Sequence, residues 1–118
     1  MAWCISCSRA TTPASYAAGQ ADTWTAIHVA MNWSSAGLTK DRRGNGYLLL
    51  WFGASHLPMA DTGIWVESET ETRTRVTVIT LRHRHRTGPL SEEGFHQEIA
   101  KALDLVKRKQ PLPLIRPE

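Results

Sequence analysis

Between Gly63 and Val78 the chain switches regularly between apolar and polar side chains. Ile64 and Val66 alternate with Trp65 and Glu67, and Val76 and Val78 alternate with Arg75 and Thr77. A period of two is the signature of a half-buried strand. Placing Thr70–Glu71–Thr72 in a loop sets Glu69 opposite Arg73, Glu67 opposite Arg75, Val66 opposite Val76 and Ile64 opposite Val78. One face of the hairpin is then ion-paired and wet, with Trp65 on it, and the other is apolar. A slip of one residue would scramble both faces. Ile79 and Leu81 fall on the opposite parity, which predicts either a bulge near Val78–Ile79 or a sheet covered on both faces there.

Helical spacing takes over downstream. Gly88-Pro89 breaks the strand, Ser91 is a natural N-cap, and Glu92 and Glu93 sit where the helix dipole favours negative charge. Leu90 and Phe95 hold the two positions of a hydrophobic staple. Phe95, Ile99, Ala102, Leu103 and Val106 form one stripe, Lys107, Arg108 and Lys109 complement the C-terminal end, and Pro111 stops the helix. His96 follows Phe95 and is expected on the flank or in solvent.

Upstream, Trp24, Ile27, His28, Met31 and Ser35 follow helical spacing after Asp22 or Thr23 as cap, which predicts a helix over 22–35 stopped by Gly37. Leu38 to Arg42 reads as a short strand, Arg43-Gly44-Asn45-Gly46 as a turn, and the continuously apolar Tyr47–Phe52 as a strand buried on both faces or central in the sheet. Residues 53–63 read as a loop. The predicted order is α-β-β-β-β-α: an α+β two-layer sandwich, with an antiparallel sheet of three or four strands and two helices on one face. Residues 21–109 form the domain. Residues 1–20, rich in Ala, Ser and Thr, read as an arm or tether, and 110–118, with three prolines, as an extended tail.

At 118 residues the chain has the size of one domain. Its net charge of +3 is uneven: residues 1–69 hold four basic and five acidic groups, and residues 70–118 ten and six. That asymmetry admits an anionic partner. Much of it comes from Leu81-Arg82-His83-Arg84-His85-Arg86. On a continuing strand Arg82, Arg84 and Arg86 share one face, suited to phosphates or acidic groups, and His83 and His85 share the other. The bland alternative is a charged strand end that deters edge pairing. Trp65 would add a stacking surface for a nucleic-acid base.

The two cysteines, Cys4 and Cys7, lie together near the N-terminus and cannot staple distant parts of the fold. Trp3-Cys4-Ile5-Ser6-Cys7 resembles the redox motif of thioredoxin-like proteins, without the βαβ pattern that activates it. Cys4 and Cys7 could also supply half of a zinc site, completed by His83 and His85, by another histidine or by a second chain. Ile5-Ser6-Cys7-Ser8 is similar to the end of a bacterial lipoprotein signal, with a small-residue tether following Cys7. Together with Gly63-Ile-Trp-Val-Glu67, Arg75-Val-Thr-Val78 and the Phe95-His-x-x-Ile-Ala-x-Ala-Leu103 helix, it resembles small bacterial envelope lipoproteins of helix–strands–helix type. That resemblance implies lipid attachment at Cys7 and a place in the cell envelope, with either a start site upstream or a vestigial signal, since the apolar stretch before Cys7 is six residues and has no basic flank.

Catalytic signatures are missing from the sequence: it holds no phosphate-cradling glycine loop, metalloprotease helix or nucleophile elbow. His56 with Asp61 is the nearest approach to an acid–base pair, and no nucleophile accompanies it. The reading therefore leans away from an enzyme and calls for no cofactor. It gives a non-enzymatic envelope or assembly module that works by protein–protein contacts and meets a membrane only through a lipid. The alternative is a small basic protein that binds nucleic acid or an acidic partner through Arg82–Arg86.

Overall fold

A computed structural model of the chain describes residues 11–34, 36–51, 62–80 and 92–109. The elements run β1 (Thr11–Tyr16), α1 (Gln20–Trp33), β2 (Gly37–Arg42), β3 (Tyr47–Trp51), β4 (Thr62–Thr70), β5 (Arg73–Thr80) and α2 (Glu92–Lys107). The strands make one antiparallel sheet in the order β1-β5-β4-β3-β2. Both helices lie on one face, with α1 against β4 and β5, and α2 against β1 and β5. The α+β sandwich is as expected, with one strand more than the sequence suggested.

That extra strand is β1. It lies in the stretch read as a tether, yet it pairs with β5 from Thr11↔Ile79 to Tyr16↔Thr74. Its composition hides it. Thr12, Ala14 and Tyr16 alternate with exposed Pro13 and Ser15, an edge-strand pattern with little apolar content.

The β4–β5 hairpin keeps the expected pairs Ile64↔Val78, Val66↔Val76 and Glu67↔Arg75. The loop differs. Thr70 pairs with Arg73, so the turn is Glu71–Thr72, and the register shifts between Ser68 and Thr70. Glu69 is thus the bulged residue, and it still reaches Arg73 (3.5 Å) and accepts from Ser15 Oγ (2.6 Å). No shift occurs at Val78–Ile79, where the ladder runs on through Thr80.

The core lies between the sheet and the helices. Leu48, Leu50, Ile64, Val66, Val76 and Val78 face Ala26, Ile27, Ala30, Phe95, Ile99, Ala102 and Leu103, all buried. The first helix begins two residues earlier than predicted, at Gln20 after Gly19. Thr23 is not its cap but bonds back to the Gly19 carbonyl (2.8 Å). Its buried face is built from Thr23, Ala26, Ile27, Ala30 and Met31, and small alanines there admit close packing against α2. Trp24 and His28 sit at the margin, half-buried. In α2 the predicted stripe is buried from Phe95 to Leu103, with Val106 half-buried. Its proposed cap and staple partner, Ser91 and Leu90, lie outside the described residues.

Candidate functional site: the second face of the sheet

Strand alternation leaves a second sheet face that neither helix covers. Register partners line up across it in rows. One row runs Arg42–Tyr47–Trp65–Thr77–Pro13, and the next Lys40–Leu49–Gly63–Ile79. Directly paired residues share a face. Tyr47, Leu49, Trp51, Trp65 and Ile79 are all half-buried, and none belongs to the core cluster.

Two indoles shape this face. Trp65 stacks on its cross-strand partner Tyr47, with ring centroids 5.2 Å apart and planes 13° apart, an offset arrangement favoured by the ring quadrupoles. The six-membered ring of Trp65 also fills the space over Gly63, two residues earlier on the same strand. A Cβ at Gly63 would collide with Trp65 Cζ3. Trp51 does the same across strands, its Cε3 lying 3.0 Å from where a Cβ of Gly37 would stand. Among the described residues the buried Trp51 indole N–H has no acceptor, a state that costs about 1–3 kcal/mol until one is supplied.

Charge is unevenly placed around this surface. On the hairpin side Glu67 pairs with Arg75 (3.7 Å) and Glu69 with Arg73 (3.5 Å). On the β2 side, among the described residues, Lys40 makes no ion pair and the Arg42 guanidinium donates only to the carbonyl of Asp41 (3.2 Å). Asp41 is opposite Leu48 and so belongs to the other face of β2. Its carboxylate is held below its ordinary pKa by Arg43, whose backbone N–H and guanidinium both donate to it (3.1 and 3.2 Å). The same Arg43 donates to His28 Nε2 (3.0 Å), so that nitrogen is unprotonated; burial and the adjacent cation lower the His28 pKa.

The edges of the sheet are blunted. β1 carries Pro13, which has no N–H to offer. β2 carries Lys40, Asp41 and Arg42 in sequence, with a register shift at Thr39. Both devices discourage a further strand from pairing.

The polar residues of α2 turn out to be structural. His96, expected in solvent or on the helix flank, is buried. Its Nε2 donates to the Thr12 carbonyl (2.7 Å), and its Nδ1 accepts from the Tyr16 hydroxyl (2.6 Å). Because a carbonyl can only accept, Nε2 carries a hydrogen; burial favours the uncharged ring, which leaves Nδ1 to accept from the Tyr16 hydroxyl, itself also within 3.2 Å of the His96 carbonyl. Burial lowers the His96 pKa and raises that of Tyr16. Glu92 does more than complement the helix dipole: it accepts from Thr12 Oγ1 (2.6 Å), the Thr80 N–H (3.1 Å) and Thr80 Oγ1.

The residues singled out for binding, Arg82, Arg84, Arg86, His83 and His85, lie outside the described residues, as do Cys4, Cys7, His56 and Asp61. Among the described residues no group of three or more His, Cys, Asp or Glu side chains stands close enough to hold a metal ion. No described helix is long and apolar enough to cross a membrane. Sequence reasoning placed Trp65 on the outer face but missed Tyr47, because Tyr47–Phe52 reads as one apolar run. The available signal was parity: Leu48 and Leu50 are aliphatic and buried, whereas Tyr47 and Trp51 are aromatic and half-buried.

No family model, curated protein or solved structure matches this chain.

Proposed function

We propose that this protein is a non-enzymatic binding module that docks another protein on the second face of its sheet. One observation carries the reading: Tyr47, Leu49, Trp51, Trp65 and Ile79 form a half-buried apolar surface outside the core, on the side away from both helices. Trp, Tyr and Arg are the residue types that dominate binding energy at protein interfaces, and this face gathers Trp51, Trp65, Tyr47 and Arg42. The blunted edges argue against partner binding by strand addition, and the polar contacts of His96 and Glu92 are spent on holding the fold. In the same reading Cys7 carries a lipid that keeps the module at an envelope membrane.

Site-specific photo-crosslinking in the native cell tests the docking. A crosslinker at position 65 is expected to give a discrete protein adduct, and one at Gln97, exposed on α2, is expected to give none. Adducts from Gln97 alone, or none at position 65, would overturn the reading. Intact mass of the protein from its own source tests the lipid: an unmodified Cys7 removes it.

A further inference from the structure

We infer that the partner segment docked on this face is acidic as well as apolar, with its carboxylates at Lys40 and Arg42; this rests on the docking reading above. The charge pattern points there. The acidic groups of the hairpin side, Glu67 and Glu69, already face Arg75 and Arg73. The β2 margin is different. Lys40 stands beside Leu49 and Arg42 beside Tyr47, both exposed, and Asp41 between them belongs to the other face and is engaged by Arg43. Two cations with no carboxylate partner among the described residues therefore border an apolar centre. Two residues along a strand, they are about 7 Å apart, a spacing that alternate side chains of an extended peptide reproduce.

The centre favours polypeptide over nucleic acid. Single-stranded nucleic acid needs free aromatic faces for its bases. Here Tyr47 and Trp65 stack on each other, so each ring already occupies a face of its neighbour. The adjoining row offers Leu49 and Ile79, which are aliphatic and suit apolar side chains. The buried Trp51 N–H lacks an acceptor among the described residues, and a peptide carbonyl or carboxylate would supply one.

The test uses the full chain and four probes: a short peptide of alternating Asp and Leu, its Lys–Leu and Asp–Ser counterparts, and oligo-deoxythymidine. Binding is followed by tryptophan fluorescence and by anisotropy of labelled probes. The Asp–Leu peptide is expected to bind at least about tenfold tighter than the other three, and the Lys40→Glu/Arg42→Glu double variant to reverse the preference between Asp–Leu and Lys–Leu. Far-UV circular dichroism and melting check that the variant folds; Trp65→Ala, which keeps both cations, is expected to weaken the Asp–Leu peptide without changing its charge preference. Tighter binding of the oligonucleotide would assign the face to nucleic acid instead. Equal binding of the Asp–Leu and Lys–Leu peptides, or indifference to charge reversal, would overturn the acidic class. A position-65 crosslink that survives charge reversal would sink this inference and leave the docking intact, whereas loss of that crosslink from the unmodified protein would sink both.

Discussion

Tyr16 and His96, 80 residues apart, are joined by a 2.6 Å hydrogen bond that fastens the edge strand β1 to helix α2. The rings also lie together, with centroids 5.9 Å apart. Phenylalanine at position 16 would keep the ring and leave the His96 Nδ1 without its donor. Tyr16→Phe is expected to cost about 1–3 kcal/mol in denaturant unfolding, and to speed amide exchange in β1 more than in β3. Uniform exchange across the sheet would contradict the fastening.

The same bond predicts a pH dependence. The folded protein holds His96 neutral, because burial outweighs the Thr12 carbonyl and Glu92, which favour the charged ring. Below the ordinary histidine value of 6.5 the unfolded chain takes up a proton that the folded chain resists. Stability is therefore full above that value and falls as the pH drops from it toward the lower folded value. His28, also lowered, adds with the same sign. Asp41 and Glu69 act further down, losing their contribution only as the pH falls below the ordinary carboxylate range. His96→Gln is expected to flatten the upper part of the profile and leave the acidic limb.

Gly63 is reserved for Trp65. Gly63→Ala would push the ring off its seat, and overpacking of this kind costs about 1–3 kcal/mol. The variant is expected to shift tryptophan emission and lower the melting temperature. In Trp65→Ala the space is free, so Gly63→Ala should cost much less there, and a double-mutant cycle reads the coupling.

Truncation separates the two faces. Ile64→Ala, on the buried face, is expected to cost about 2–5 kcal/mol. Leu49→Ala, half-buried on the other face, is expected to cost clearly less and to weaken partner binding instead. Equal costs in unfolding titrations would mean that the second face is as much core as the first.

Glu92 ties the start of α2 to Thr12 and Thr80. Glu92→Gln keeps the shape and removes the charge, so it is expected to lose about 1–3 kcal/mol through the weakened hydrogen bonds. Glu93→Gln, exposed in the same turn, should stay within about 1 kcal/mol through the dipole alone. Comparable losses would reduce Glu92 to a dipole effect.

The hairpin was legible in the sequence because two independent signals agreed: apolar alternation paired Ile64 with Val78 and Val66 with Val76, and charge complementarity paired Glu67 with Arg75. Its turn was not, because a bulge at Glu69 moves the ladder by one residue while sparing the ion pair with Arg73. The strand β1 carries no such signal, since Pro13 and Ser15 face water and its stabilising partners, β5 and His96, are remote in sequence. His96 was misplaced for the same reason: its acceptor is a backbone carbonyl of that unseen strand. Of the candidate face, Trp65 followed from the hairpin register, whereas Tyr47 and Trp51 needed the knowledge that only one side of β3 meets the helices.

The seating of β1 between β5 and α2 also governs how the polypeptide matures. Thr11–Tyr16 is synthesised well before the two elements that hold it. The nascent β1 therefore waits for β5 and then α2, and long-range contacts of this kind slow folding.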